Sequence, residues 1–192
     1  MSAAFRTPGW RFSGVEHGFA PRDAPVASHL RLVRVRQVHG ADLLIADDTT
    51  PALAGVADGL LTATPGTAVA IATADCVPIL LAAPDARVVA AVHAGWRGSL
   101  ADIARRAIGT FAARFAVGPS DIRAALGPSI GGCCYEIERE IAQSFVDAHG
   151  PAMWSAWKEG TAGKGTLDLR RVNLLLLHEA GVPEKSIQLV GP

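Results

Sequence analysis

The sequence has little of what would assign it to a specialised class. It carries no net charge, because 18 Lys and Arg balance 18 Asp and Glu. No long-range field gathers it onto nucleic acid or an anionic membrane, and any anion it binds must be held locally. It lacks the run of about eighteen apolar residues that a membrane span needs; the longest candidate, 69–83, is broken by Asp75 and Pro78. Its first residues scatter Arg6, Pro8 and Arg11 among apolar ones, without the apolar centre of a signal peptide. Cysteine is scarce: three residues, two of them the neighbours Cys133 and Cys134, do not make a disulfide framework. Internal repeats, charge blocks and long linkers are also missing. These absences predict a soluble cytoplasmic protein with neither nucleic acid nor membrane as partner.

What is present is core material. Apolar residues make up 49% of the 192 and charged residues 19%, a balance that lets a chain of this length bury a real interior. One domain over 1–192 is expected. From Val33, the residues Val33, Val35, Gln37 and His39 share one parity and Arg34 and Arg36 the other, so a half-exposed strand would carry His39 on its inward, apolar face. Val69 to Ala74 and Val88 to His93 are short continuous apolar runs bounded by Pro65-Gly66 and Pro84-Asp85, and both read as buried strands. The spacing of Leu100, Ile103, Ala104, Ala107, Ile108, Phe111 and Phe115 predicts a helix, with Ser99 as N-cap and Gly118-Pro119 as stop. Ile137, Ile141 and Phe145 mark a second helix. A third runs from an Asp168 cap through Val172, Leu175 and Leu176 to Gly181 and Pro183. Gly150 to Gly165 reads as loop. Strands that precede and alternate with helices give a mixed α/β (α+β) domain, a mixed sheet packed against helices.

Chemistry concentrates where strands end in glycine-rich turns. Asp75-Cys76-Val77-Pro78 turns the first buried run, and His93-Ala94-Gly95-Trp96-Arg97-Gly98 the second. Consecutive strands usually neighbour one another, which would bring a thiol beside an imidazole, with His39 able to join them. Three readings stay open. His, Cys and His are good zinc ligands that leave a fourth tetrahedral position free, as in catalytic sites. Cys76 could instead be a nucleophile with His93 as its base. Or each residue could simply pack in the core.

Five segments then narrow the choice: Gln37-Val38-His39-Gly40, Ala57-Asp58-Gly59, Thr73-Ala74-Asp75-Cys76-Val77-Pro78-Ile79, His93-Ala94-Gly95-Trp96-Arg97-Gly98, and Gly127-Pro128-Ser129-Ile130-Gly131 followed by Cys134-Tyr135-Glu136. In this order they resemble the polyphenol oxidase or laccase-domain family, members of which are reassigned as zinc-dependent purine nucleoside phosphorylases with adenosine deaminase and methylthioadenosine phosphorylase activity. The resemblance covers roughly residues 14 to 190 and implies metal ligation by His39, Cys76 and His93. It implies zinc rather than copper, and a purine nucleoside and inorganic phosphate as substrates of a monomer or homodimer. Toward the ends the pattern changes. His17-Gly18-Phe19 and Arg22 look like the start of the family's N-terminal motif, but the glycine pair and asparagine-bearing segment that follow it are largely absent. After Asp168-Leu169-Arg170, Asn173 and Ala180-Gly181-Val182, the sequence reaches Pro192 without the family's Cys-Thr and arginine-rich ending. Shortened arms are expected at both ends.

The remaining residues keep two readings each. Arg97, after a Gly and a Trp in a tight loop, could clamp phosphate with its planar fork or form a structural salt bridge. Asp75 could orient a ligand, act as a base, or cap backbone amides. Cys133 and Cys134 are expected to pack rather than bind a second metal. Trp154 and Trp157 could stack a base but are expected in a core stripe or an oligomer contact. His17, His29, His149 and His178 read as ordinary imidazoles. The favoured activity is phosphorolysis of a purine nucleoside, with adenosine deamination beside it. The alternatives are copper-dependent phenol oxidation, a cysteine hydrolase built on Cys76 and His93, and a non-catalytic zinc-stabilised binding module.

Overall fold

The computed structural model describes residues 6–7, 10, 15–21 and 29–191; Arg22 of the N-terminal motif lies outside them. Seven strands come first: β1 (Arg31–Arg36), β2 (Leu43–Ala46), β3 (Leu53–Val56), β4 (Gly59–Thr62), β5 (Thr67–Val69), β6 (Val77–Ala82) and β7 (Val89–Ala94). Helices α1 (Trp96–Leu100) and α2 (Ile103–Phe115) follow, then β8 (Arg123–Leu126), β9 (Glu136–Glu138) and α3 (Arg139–His149). The chain continues through β10 (Trp157–Glu159), β11 (Lys164–Leu167), α4 (Leu169–Glu179) and β12 (Ile187–Leu189). A six-stranded sheet in the order β12-β8-β6-β7-β4-β2 forms the centre, flanked by the small sheets β3-β1-β5 and β10-β11-β9. β2 runs parallel to β4 and β12 to β8, whereas the central pairings are antiparallel. The expected mixed sheet with packed helices is what forms.

The main core lies between one face of the central sheet and the helices. Ile103, Ala104, Ala107, Ile108 and Phe111 of α2 are buried on one stripe and meet Leu61, Ile79, Leu81, Ala90 and Val92, together with Val172, Leu176 and Leu177 of α4. The helical spacing of those residues is why this helix was legible. On β7, Ala90, Val92 and Ala94 belong to this core, so His93, of opposite parity, faces away from the helices. Leu60 packs on that other face with Val33 and Val35 of β1. Asp168 caps α4 as expected, its carboxylate accepting from Arg171 N at 2.9 Å.

Several expectations are corrected. The run 69–74 is not a strand beyond Val69. Gln37 does the work of a neighbouring strand there, its side-chain amide donating to Ala72 O and accepting from Ala72 N, both at 2.8 Å. The strand starts later, at Val77, and includes Pro78. Proline is tolerated because it pairs with His93, whose own N–H points the other way, to Asp58 O at 2.7 Å; no donor is needed across that pair. Toward β8 only the Pro78 carbonyl is used, accepting from Gly127 N. Ser99 is not a helix cap. It is buried inside α1 and bonded to Asn173, while Asp102, with φ of 66°, precedes α2. The segment 150–165 is no plain loop, since a 3-10 turn at Pro151–Ala156 leads into the β10-β11 pair. Among the described residues no helix is long and apolar enough to cross a membrane.

Candidate metal centre

Cys76 and His93 meet because β6 and β7 pair antiparallel, with Val77 opposite Ala94 and Pro78 opposite His93. Cys76 stands one residue before β6, hence opposite Gly95, rather than at the end of a preceding strand. The close approach at Gly95 favours glycine: a Cβ there would lie 3.0 Å from Cys76 Sγ and 3.3 Å from His39 Cδ2. Gly98 is under a stricter constraint, for its Cβ would come 2.7 Å from the backbone Gly40 O. The start of α1 is thereby pressed against the turn that carries His39.

His39 is not on the inward face of a strand. β1 ends at Arg36, the parity that predicted burial ends with it, and His39 is exposed in a left-handed conformation, φ 62°. Such a backbone is uncommon outside glycine and needs support. Asp58 provides it. Its carboxylate accepts from Val38 N at 3.2 Å, His39 N at 2.9 Å and Gly40 N at 2.7 Å, three consecutive amides curled round one anion.

Asp58 also reaches His93. Its Oδ1 lies 2.8 Å from His93 Nδ1, with Asp58 0% and His93 3% exposed. An ionised carboxylate only accepts, so Nδ1 carries the proton and Nε2 presents a lone pair. Burial, the largest influence on Asp58, pushes its carboxyl up, but the bond from His93 and the three amides together hold it below the ordinary carboxylate value. Burial pushes His93 below its ordinary value, outweighing the opposing effect of Asp58. A neutral imidazole with a fixed tautomer is the form that binds a metal.

The donor atoms of His39, Cys76 and His93 all lie within 4.8 Å of one another, a spread that an ion with bonds of about 2.0–2.3 Å nearly spans. Two imidazoles and a thiol are a donor set suited to zinc, and three protein ligands leave a position for substrate. The nucleophile reading fares worse. Burial first, then the charges of Asp75 and Asp58, raise the Cys76 thiol above its ordinary value, opposite to what an activated cysteine needs.

Around this cluster, Asp75 is exposed and its backbone O accepts from Ile130 N at 3.0 Å. Arg97 is exposed too, on α1 rather than in a loop, with its guanidinium 4.4 Å from the centre of the Trp96 ring. The part-buried Tyr135 phenol is raised by burial and then by Cys76, lowered by Arg97 and raised by Asp75, so it stands within electrostatic reach of all three. The remaining residues go elsewhere. Trp154 lies under the Arg139 guanidinium and Trp157 Nε1 donates to Glu159. Cys133 and Cys134 are exposed, not packed, because the turn that carries them faces outward. His149 Nε2 bonds Leu100 O, and His29 meets Glu16.

Sequence reasoning assigned no role to Asp58 or to Tyr135, the chain's only tyrosine. Asp58 stood in a quoted motif, but an Asp before Gly reads as a turn residue. Its partners are 18 to 35 positions away, so no local spacing reveals it.

The chain resembles known proteins over most of its length. It is 40% identical over 166 residues to the purine nucleoside phosphorylase YlmD of Geobacillus stearothermophilus, covering 82% of this chain and 60% of that protein. It is 36% identical over 165 residues to adenosine deaminase RL5 from an unknown prokaryotic organism, covering 81% of this chain and 62% of that one. This chain therefore spans less than two thirds of either relative. The crystal structure of YlmD superposes with a TM-score of 0.76 at 36% identity, covering 83% of this chain and 62% of that one. Residues 22–191 match the family described as multi-copper polyphenol oxidoreductase laccase, and to that family the chain belongs.

Proposed function

We propose that the protein is a zinc-dependent purine nucleoside phosphorylase that cleaves inosine, adenosine, guanosine or methylthioadenosine with phosphate, and that it deaminates adenosine as a side activity. The observation that carries this reading is the convergence of His39, Cys76 and His93 on one point, with Asp58 fixing the His93 tautomer. The names of the relatives, purine nucleoside phosphorylase and adenosine deaminase, support it. When bound, zinc supplies Lewis acidity at a position open to substrate.

The chain's own residues do the rest. Asp58 keeps the Nδ1 proton on His93 and so directs Nε2 outward. Arg97, exposed beside the cluster, binds the phosphate that attacks the anomeric carbon, its fork giving two parallel charged hydrogen bonds. Asp75, exposed next to Cys76, takes the proton from the water used in deamination. Copper-dependent phenol oxidation is less well supported, because among the described residues only one three-ligand cluster forms, short of the set of sites that oxygen reduction uses.

The test combines elemental analysis of the purified protein with release of hypoxanthine from inosine, with and without phosphate. Zinc and phosphate-dependent release are expected; copper instead of zinc returns the oxidase reading. Arg97→Ala should slow inosine phosphorolysis by roughly thirty-fold to a thousand-fold, about 2 to 4 kcal/mol of transition-state stabilisation. Adenosine deamination and zinc content should hold. Equal loss of both activities with zinc intact would assign Arg97 to the nucleoside instead.

A further inference from the structure

Cys133 and Cys134 take no part in the cluster above, and their arrangement is unusual for adjacent residues. In an extended strand, neighbouring side chains point to opposite faces. Here the chain turns at 132–134, Cys134 N and Tyr135 N both donating to Gly131 O at 3.0 and 3.2 Å, and the two sulfurs lie 2.6 Å apart. Both cysteines are exposed.

The frame of this turn is fastened on both sides. Ile130 N bonds Asp75 O and Leu167 N bonds Tyr135 O, each at 3.0 Å. Gly132 abuts the helix cap, where an added Cβ would lie 2.7 Å from Asp168 Cβ. A turn held in this way keeps the thiols together and turned to solvent, which removes most of the ordering cost of joining them. Cys134 is raised by the hydrogen bond and then the charge of Cys133, as expected of two sulfurs held side by side.

We propose that Cys133 and Cys134 form a redox-active dithiol, which a low-molecular-weight disulfide such as oxidised glutathione converts into a disulfide between the two adjacent residues. One cysteine thiolate attacks a glutathione sulfur, forming a mixed disulfide and expelling one glutathione thiolate. The neighbouring cysteine attacks the cysteine sulfur of that mixed disulfide and expels the second. The two cysteines are oxidised, the glutathione disulfide is reduced to two thiols, and the two cysteine protons end on them. The site is separate from the metal ligands and does not depend on the proposed nucleoside chemistry.

The experiment treats the purified, metal-loaded protein with oxidised glutathione, alkylates the remaining thiols and maps the tryptic peptides by mass. The peptide 124–139 should lose two hydrogens and carry neither glutathione nor alkyl group, and a reductant should restore it. In Cys134→Ser the same peptide should instead retain glutathione on Cys133. A stable glutathione adduct in the wild type, an unreacted peptide, or a cross-link to the peptide 37–87 that holds Cys76 would each overturn the proposal. The wild-type measurement decides the matter even if a variant folds poorly.

Discussion

His93 and His39 bring the same imidazole to the same place by different means. His93 is 3% exposed, sits in a central strand and gives its Nδ1 proton to Asp58. His39 is exposed, stands in a turn with left-handed backbone, and its ring packs edge-to-face with that of His93, centroids 4.8 Å apart. Asp58 serves both, bonding the side chain of one and the backbone at the other. One candidate ligand is therefore part of the fold, whereas the other is mounted on it. Losing each should have a different thermodynamic signature.

The largest effect is expected from removing His93. His93→Ala should strip the metal and also leave a buried carboxylate without one partner, costing about 2 to 3 kcal/mol of stability. His39→Ala should strip the metal equally but change the stability of the metal-free protein by only about 0.5 kcal/mol. Elemental analysis with urea unfolding of both metal-free variants checks this. Equal destabilisation by both would erase the distinction.

Asp58→Asn should come next. It keeps the shape but loses the charge that three amides and an imidazole share, so metal affinity should fall about 10- to 100-fold and stability by about 1 to 3 kcal/mol. Competition with a chromogenic chelator measures the first and urea unfolding the second. Wild-type affinity in Asp58→Asn would show that the tautomer is fixed by something else.

Acid should produce the smallest and most gradual effect. His93 is held below its ordinary value of 6.5, so as the pH falls through that value the unfolded chain takes up protons before the native one and stability declines. Asp58, held below 3.8, contributes stability that is present above that value and lost as pH falls toward its lower native one. The half-buried His17 is lowered also and shares the sign of His93, so the comparison is with His93→Gln, in which the decline below about pH 6.5 should be shallower. A urea midpoint in the metal-free wild type that stays flat through this range would contradict the buried neutral imidazole.

The same contrast explains what the sequence could reveal. His93 lay in an apolar run, Val88 to His93, that matches β7 almost residue for residue, because a strand buried on both faces leaves a compositional trace. The α2 and α4 helices were legible for a similar reason, since their buried faces repeat at helical spacing. Parity misplaces His39 because it holds only while the strand does, and nothing in Gln37-Val38-His39-Gly40 marks the end of β1 at Arg36. Pro78 hid β6, since its tolerance depends on which way His93 N–H points. Asp58 was invisible for the plainest reason: its partners are contributed by other parts of the chain. Ligation by His39, Cys76 and His93 is implied by the family resemblance more than by spacing.

The scattering of the site along the chain also orders events in time. Asp58 is 35 residues from His93 and 18 to 20 from the turn it organises, and the candidate donors come from β7, the approach to β6 and the turn after β1. An unfolded chain offers no compact chelate of the kind that lets a zinc finger fold around its ion. The loops between these segments must close before the donors can converge, so folding would come before any metallation of the proposed site. An ion bound at the cluster would then act by mass action on a finished protein, adding stability in proportion to the logarithm of its free concentration without serving as a nucleus.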